Sequence, residues 1–120
     1  MRETILAELR RWGNTARWSW QGWTTAWARE KSLRQWTALN GVSAVLAVIL
    51  NLTGAERGLI LALGLLILVV ELINTAIEET VDFISTDHDP RAGRAKDAGS
   101  AAVAVTAIAW GAAWVAVVAG

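Results

Sequence analysis

The chain has 120 residues, with 11 Lys and Arg against 11 Asp and Glu, and no cysteine. One domain is expected at this length. Balanced charge excludes nucleic acid as the main partner, which would call for a basic excess, and the lack of thiols excludes a disulfide frame or thiol chemistry. The single histidine, His88, cannot make a metal site alone.

The charge is unevenly placed. No charged residue occurs from Gln35 to Ala55, and none after Asp97. A water-soluble helix needs a polar face along its length, so uncharged stretches this long read as membrane-spanning. The expected fold is an all-α membrane protein, with three transmembrane helices and an N-terminal amphipathic surface helix forming one membrane-embedded domain over residues 1–120.

In chain order, residues 3–30 are expected to form the surface helix. Ile5, Leu9, Trp12, Ala16, Trp20, Trp23 and Trp27 fall within about 80° of one another at ~100° per residue, while Arg10, Arg11, Arg17 and Arg29 lie off that stripe. Trp and Arg on one amphipathic helix suit the headgroup layer of a bilayer. A break is expected near Gly13 or Gly22. The first residues are charged and amphipathic, so no cleavable leader is expected. The first span is placed at 37–53.

The second span is unusual. The apolar run from Gly58 to Val70 is too short to cross a ~30 Å hydrocarbon core, but it continues without Gly or Pro through Glu71 to Asp82. One helix over 58–84 is therefore expected. Ser85 to Arg94 holds the only proline and reads as a polar turn. The third span is placed at 98–118. Lys and Arg concentrate before the first span and between the second and third, which places the N-terminus and the second loop in the cytoplasm.

Glu71, Asn74, Glu78 and Asp82 fall on one stripe of the middle helix, under about 90° wide. Ionisable groups near hydrocarbon are costly and are functional-site candidates by default. A buried carboxylate can serve as a proton acceptor, and outer carboxylates are hard ligands suited to Mg²⁺. Lys96 and Asp97 open the last span, where a lysine offers a point charge for phosphate oxygens. The small residues from Gly99 to Ala102 would let that helix approach closely. Spacing alone leaves three readings open: an enzyme, an ion or proton conduit, or a polar oligomer contact. No P-loop and no protein-kinase motif is present.

The run Glu71-Leu-Ile-Asn-Thr-Ala-Ile-Glu-Glu-Thr-Val-Asp82, followed by Ala95-Lys-Asp-Ala-Gly-Ser-Ala-Ala-Val103, resembles the signature of bacterial integral membrane diacylglycerol kinases. Ser19-Trp20, Ala26-Trp27, Glu30 and Arg34-Gln35 resemble the N-terminal pattern of that family. The resemblance implies a homotrimer in the bacterial inner membrane that moves the γ-phosphate of ATP onto diacylglycerol, with active sites between subunits. It implies Glu71 as catalytic base and Glu30 and Glu78 as carboxylates for Mg²⁺ bridging the ATP phosphates, with Asn74 and Asp82 in support. Arg11, Trp18, Asp87, Lys96 and Asp97 match ATP-contacting positions, with His88 and Asp89 in the same loop. Ser19, Trp20, Arg34 and Ser100 match positions near the lipid. Trp18 stands where a tyrosine is common, and Trp36 replaces a frequent acid. The alternative acceptor on the same scaffold is undecaprenol.

Overall fold

The computed structural model describes residues 1–120 as four helices without strands: α1 (Arg2–Arg29), α2 (Lys31–Ile49), α3 (Gly54–Ile84) and α4 (Pro90–Ala119). Helix α1 runs unbroken through Gly13 and Gly22, contrary to the expected interruption. One glycine costs only ~1 kcal/mol in a helix, and nothing packs close to either position.

The junctions follow from local chemistry. Glu30 alone separates α1 from α2, with an extended backbone (φ −109°, ψ 105°). Arg34 reaches back to donate to the Trp27 and Ala28 carbonyls, closing the end of α1. Arg57 does the same for α2, donating to the Ala47 carbonyl at 2.7 Å and to the Leu52 carbonyl at 3.3 Å. Basic side chains there satisfy carbonyls that lack a partner within the helix. Thr53 and Glu56 form a capping box at the start of α3. The turn expected over Ser85–Arg94 is shorter. Helix α4 already begins at Pro90, because the Asp89 carboxylate accepts from the Arg91 backbone N–H at 2.8 Å and proline fits the first helical position.

Helix α3 packs against both α2 and α4, and α4 also meets α2, where Trp114 Nε1 donates to Ser43 Oγ at 2.9 Å. Ala47, Ile60 and Ala113 form one buried cluster, and Ile67, Val103 and Trp110 form the next. Only 13 of the 120 residues are buried. Val48, Leu65, Val105, Ile108, Val115 and Val118 are all exposed. A globular protein in water does not leave so much contiguous apolar surface open, and a lipid environment suits it. Two helices, α3 and α4, are long and apolar enough to cross a membrane. This is fewer than the three expected, since α2 extends back to Lys31 and takes in Arg34, Gln35 and Asn40, which dilute its apolar character.

Two glycines set the closest approaches. A Cβ on Gly64 would lie 2.5 Å from Asn40 Oδ1 and 3.2 Å from Trp110 Cζ2. A Cβ on Gly99 would collide with Asn74 Oδ1. Asn40 is held by its donation to the Trp36 carbonyl at 3.0 Å, so it yields only by giving up that bond. Gly64→Ala is therefore expected to destabilise the fold by about 1–3 kcal/mol through overpacking. Gly111→Ala has open space and should not destabilise. Unfolding in detergent, followed by circular dichroism, compares the two. Equal midpoints would refute the close packing at Gly64.

Candidate functional site

The acidic stripe of α3 changes character along its length. Glu71 and Asn74 are buried, Glu78 is half-buried and Asp82 is exposed. Burial of Glu71 follows from its place where α2 crosses α3. Ser32, in the first turn of α2, donates its hydroxyl to Glu71 Oε1 at 2.6 Å. It is the sole hydrogen-bond donor to that carboxylate, because Thr75 bonds the Glu71 backbone carbonyl instead.

One turn further, Asn74 Nδ2 donates to Glu78 Oε1 across a long 3.5 Å contact. Its Oδ1 packs over Gly99 of α4 and has no hydrogen-bond partner, although buried. Glu30, Glu71 and Asp82 all lie close enough to Glu78 to act on it electrostatically, as does Lys96. The extended backbone of Glu30 thus leaves its carboxylate near that of Glu78. Glu30 and Glu78, which sense each other's charge, are hard oxygen donors. No group of three or more acidic or histidine side chains closes around one point. A pair of carboxylates fits Mg²⁺, which takes one or two protein carboxylates and fills its octahedron with water and substrate phosphate.

Lys96 Nζ donates to Asp82 Oδ1 at 2.6 Å, joining the start of α4 to the acidic stripe. The two charges border a cleft of about 270 Å³ that also includes Asp87, His88 and Asp89 of the loop. The Arg91 guanidinium beside Asp89 holds its carboxyl below the usual carboxylate range. Asp97 and Ser100 are exposed on α4.

The expected residues of α1 are not brought to this place. Arg11 pairs with Glu8 of its own helix at 2.8 Å, and Ser19 donates to the Thr15 carbonyl at 2.8 Å. Trp18 and Trp20 are exposed. Only the end of α1 meets α3. There Arg29 pairs with Glu79 at 3.1 Å, over a cleft of about 320 Å³ lined by Thr25, Glu30, Thr75 and Glu79 among others. Sequence reasoning had no place for Ser32 or for the Arg29–Glu79 pair. Glu79 lies off the stripe and was visible only as a further acid, and Ser32 had no signal beyond its nearness to Glu30.

Glu71, Glu78, Lys96 and Glu30 therefore gather at one end of the bundle, on two helices and a junction. The family model for prokaryotic diacylglycerol kinases matches residues 17–118. This chain belongs to that family. A diacylglycerol kinase of Pseudomonas aeruginosa is 43% identical over 102 residues, covering 83% of each chain. One from Escherichia coli is 39% identical over 97 residues, covering 78% of this chain and 76% of its own. One from Haemophilus influenzae is 35% identical over 102 residues, covering 82% of this chain and 86% of its own. The match to the prokaryotic diacylglycerol kinase family takes in every candidate residue except Arg11.

Proposed function

We propose that this membrane protein is a diacylglycerol kinase, transferring the γ-phosphate of ATP to the hydroxyl of diacylglycerol to give phosphatidic acid. Family membership supports the activity. One geometric observation carries the mechanism: a buried glutamate, Glu71, already accepts a short hydrogen bond from an alcohol, at the end of the molecule where Lys96 and further acids gather.

In this reading the lipid hydroxyl takes the second oxygen of Glu71 as its acceptor. As the hydroxyl oxygen attacks the γ-phosphorus, its proton passes to Glu71, and the bond from phosphorus to the β–γ bridging oxygen breaks. ADP leaves with that electron pair. Glu30 and Glu78 would hold Mg²⁺, which when bound neutralises and orients the triphosphate. Asn74 positions the Glu78 carboxylate, and Asp82 holds Lys96 where its ammonium meets phosphate oxygens. Arg11, Trp18, Asp87 and Asp97 complete the ATP site. Ser19, Trp20, Arg34 and Ser100 face the lipid headgroup region. Phosphoryl transfer is chiefly positioning and charge neutralisation, so a base, a metal clamp and one lysine can be enough.

The chain sits in the inner membrane of a bacterium as one domain. Helix α1 lies on the surface, and α2, α3 and α4 span the bilayer. The seven basic residues before the first span, with Arg91, Arg94 and Lys96, favour a cytoplasmic N-terminus and α3–α4 loop. A homotrimer is the assembly we propose. Within one chain Arg11 and Trp18 stay on α1, away from Glu71, so a neighbouring subunit would complete the site.

Purified protein in mixed micelles is expected to transfer labelled phosphate from Mg-ATP to diacylglycerol, and poorly to undecaprenol. Chelation of the divalent cation should stop transfer, and added Mg²⁺ should restore it. Ion flux in liposomes without ATP, coupled with no lipid phosphorylation, would overturn the kinase reading.

A further inference from the structure

We infer that Ser32 is a positioning residue for the phosphoryl transfer, holding the Glu71 carboxylate in the orientation that accepts the lipid's proton. The inference rests on the kinase reading above, and it concerns a residue that the sequence did not single out.

Glu71 is 5% exposed and has one hydrogen-bond donor to its side chain, the Ser32 hydroxyl at 2.6 Å. A glutamate carboxyl reaches out over three side-chain torsions, so an unheld one samples several rotamers. The single bond to Oε1 removes that freedom and leaves Oε2 without a partner inside the chain, open to an incoming alcohol. A hydrogen bond to a charged acceptor is also stronger than a neutral one.

The same short junction sets two groups at once. Glu30 is the only residue between α1 and α2, and its extended backbone turns the chain so that Ser32 falls in the first turn of α2. No side chain caps that turn. Ser32 thus lies in the turn that carries the positive end of the α2 dipole. The clamp on the base is thereby built into the turn that presents Glu30 to Glu78. Arg34, bonded to the Trp27 and Ala28 carbonyls, fixes the junction angle. The Ser32 hydroxyl is the second positional constraint on that turn, and it acts directly on Glu71.

The test is steady-state kinetics in mixed micelles with Mg-ATP and diacylglycerol, for Ser32→Ala, Ser32→Thr and Glu71→Gln. Alanine is a good helix former, so α2 is expected to survive Ser32→Ala, with the unfolding midpoint lowered only by loss of the one bond to Glu71. Its kcat should fall by about tenfold, with KM for ATP within a factor of about two, since misplacing a reacting group by ~1 Å can cost up to 10²-fold in rate. Ser32→Thr restores the hydroxyl and should recover most of kcat. Ser32→Ala with an unaltered kcat would overturn the inference, and so would a threonine variant as slow as the alanine one. Glu71→Gln separates the two claims. If it is inactive while Ser32→Ala is normal, only the role of Ser32 is lost. If it turns over normally, the base assignment itself has failed.

Discussion

Replacing Glu71 by glutamine is expected to lower turnover by about 10²–10⁴-fold, the usual worth of a positioned general base, while the protein stays folded. Glutamine keeps the volume and can still accept the Ser32 hydroxyl through its carbonyl oxygen, so packing where α2 crosses α3 should survive. What it loses is the capacity to take a proton. The neutral amide also removes a charge from a buried place, which tends to favour stability. The measurement pairs phosphate transfer with thermal unfolding in the same detergent. A Glu71→Gln protein that is inactive and as stable as the wild type, or more so, supports the assignment. Near-normal turnover refutes it, and another group would then have to be the base.

Glu78→Gln carries the second large effect. The substitution retains a group that Asn74 can reach, yet it halves the carboxylate pair formed with Glu30. Loss of one electrostatic element at a phosphoryl-transfer centre costs about 10²–10³-fold in rate. Because the pair is proposed to hold the divalent cation, part of that loss should be recovered at raised Mg²⁺, and the Mg²⁺ concentration for half-maximal rate should rise. Glu30→Gln should behave alike. Removal of Lys96, as Lys96→Met, acts differently. It weakens ATP binding and frees Asp82, with no change in the Mg²⁺ requirement. Equal Mg²⁺ dependence in all three variants would argue against the carboxylate pair as the metal holder.

The helices were legible because their signals are local. Uncharged apolar runs and the polar turn that separates them are read from neighbouring residues alone. The period of 3.6 residues placed Glu71, Asn74, Glu78 and Asp82 on one face from spacing alone. Boundaries were less legible. Helix α4 starts ahead of the expected span because the Asp89 cap and Pro90 compete well against the polar loop. The polar first turns of α2 were hidden behind its apolar second half.

Contacts across helices were least legible. The sequence alone determined an all-helical chain with an acidic face on its central helix, and a basic residue at the head of the last one. Only the tertiary structure decided that Ser32 bonds Glu71, that Arg29 pairs with Glu79, and that Asn40 and Asn74 settle against Gly64 and Gly99. The reason is physical. Helical periodicity fixes which side chains share a face, but which faces meet, and at what height, depends on packing between helices whose relative shift no local propensity encodes. A slide of one turn, ~5.4 Å, would leave every helix intact and part Ser32 from Glu71.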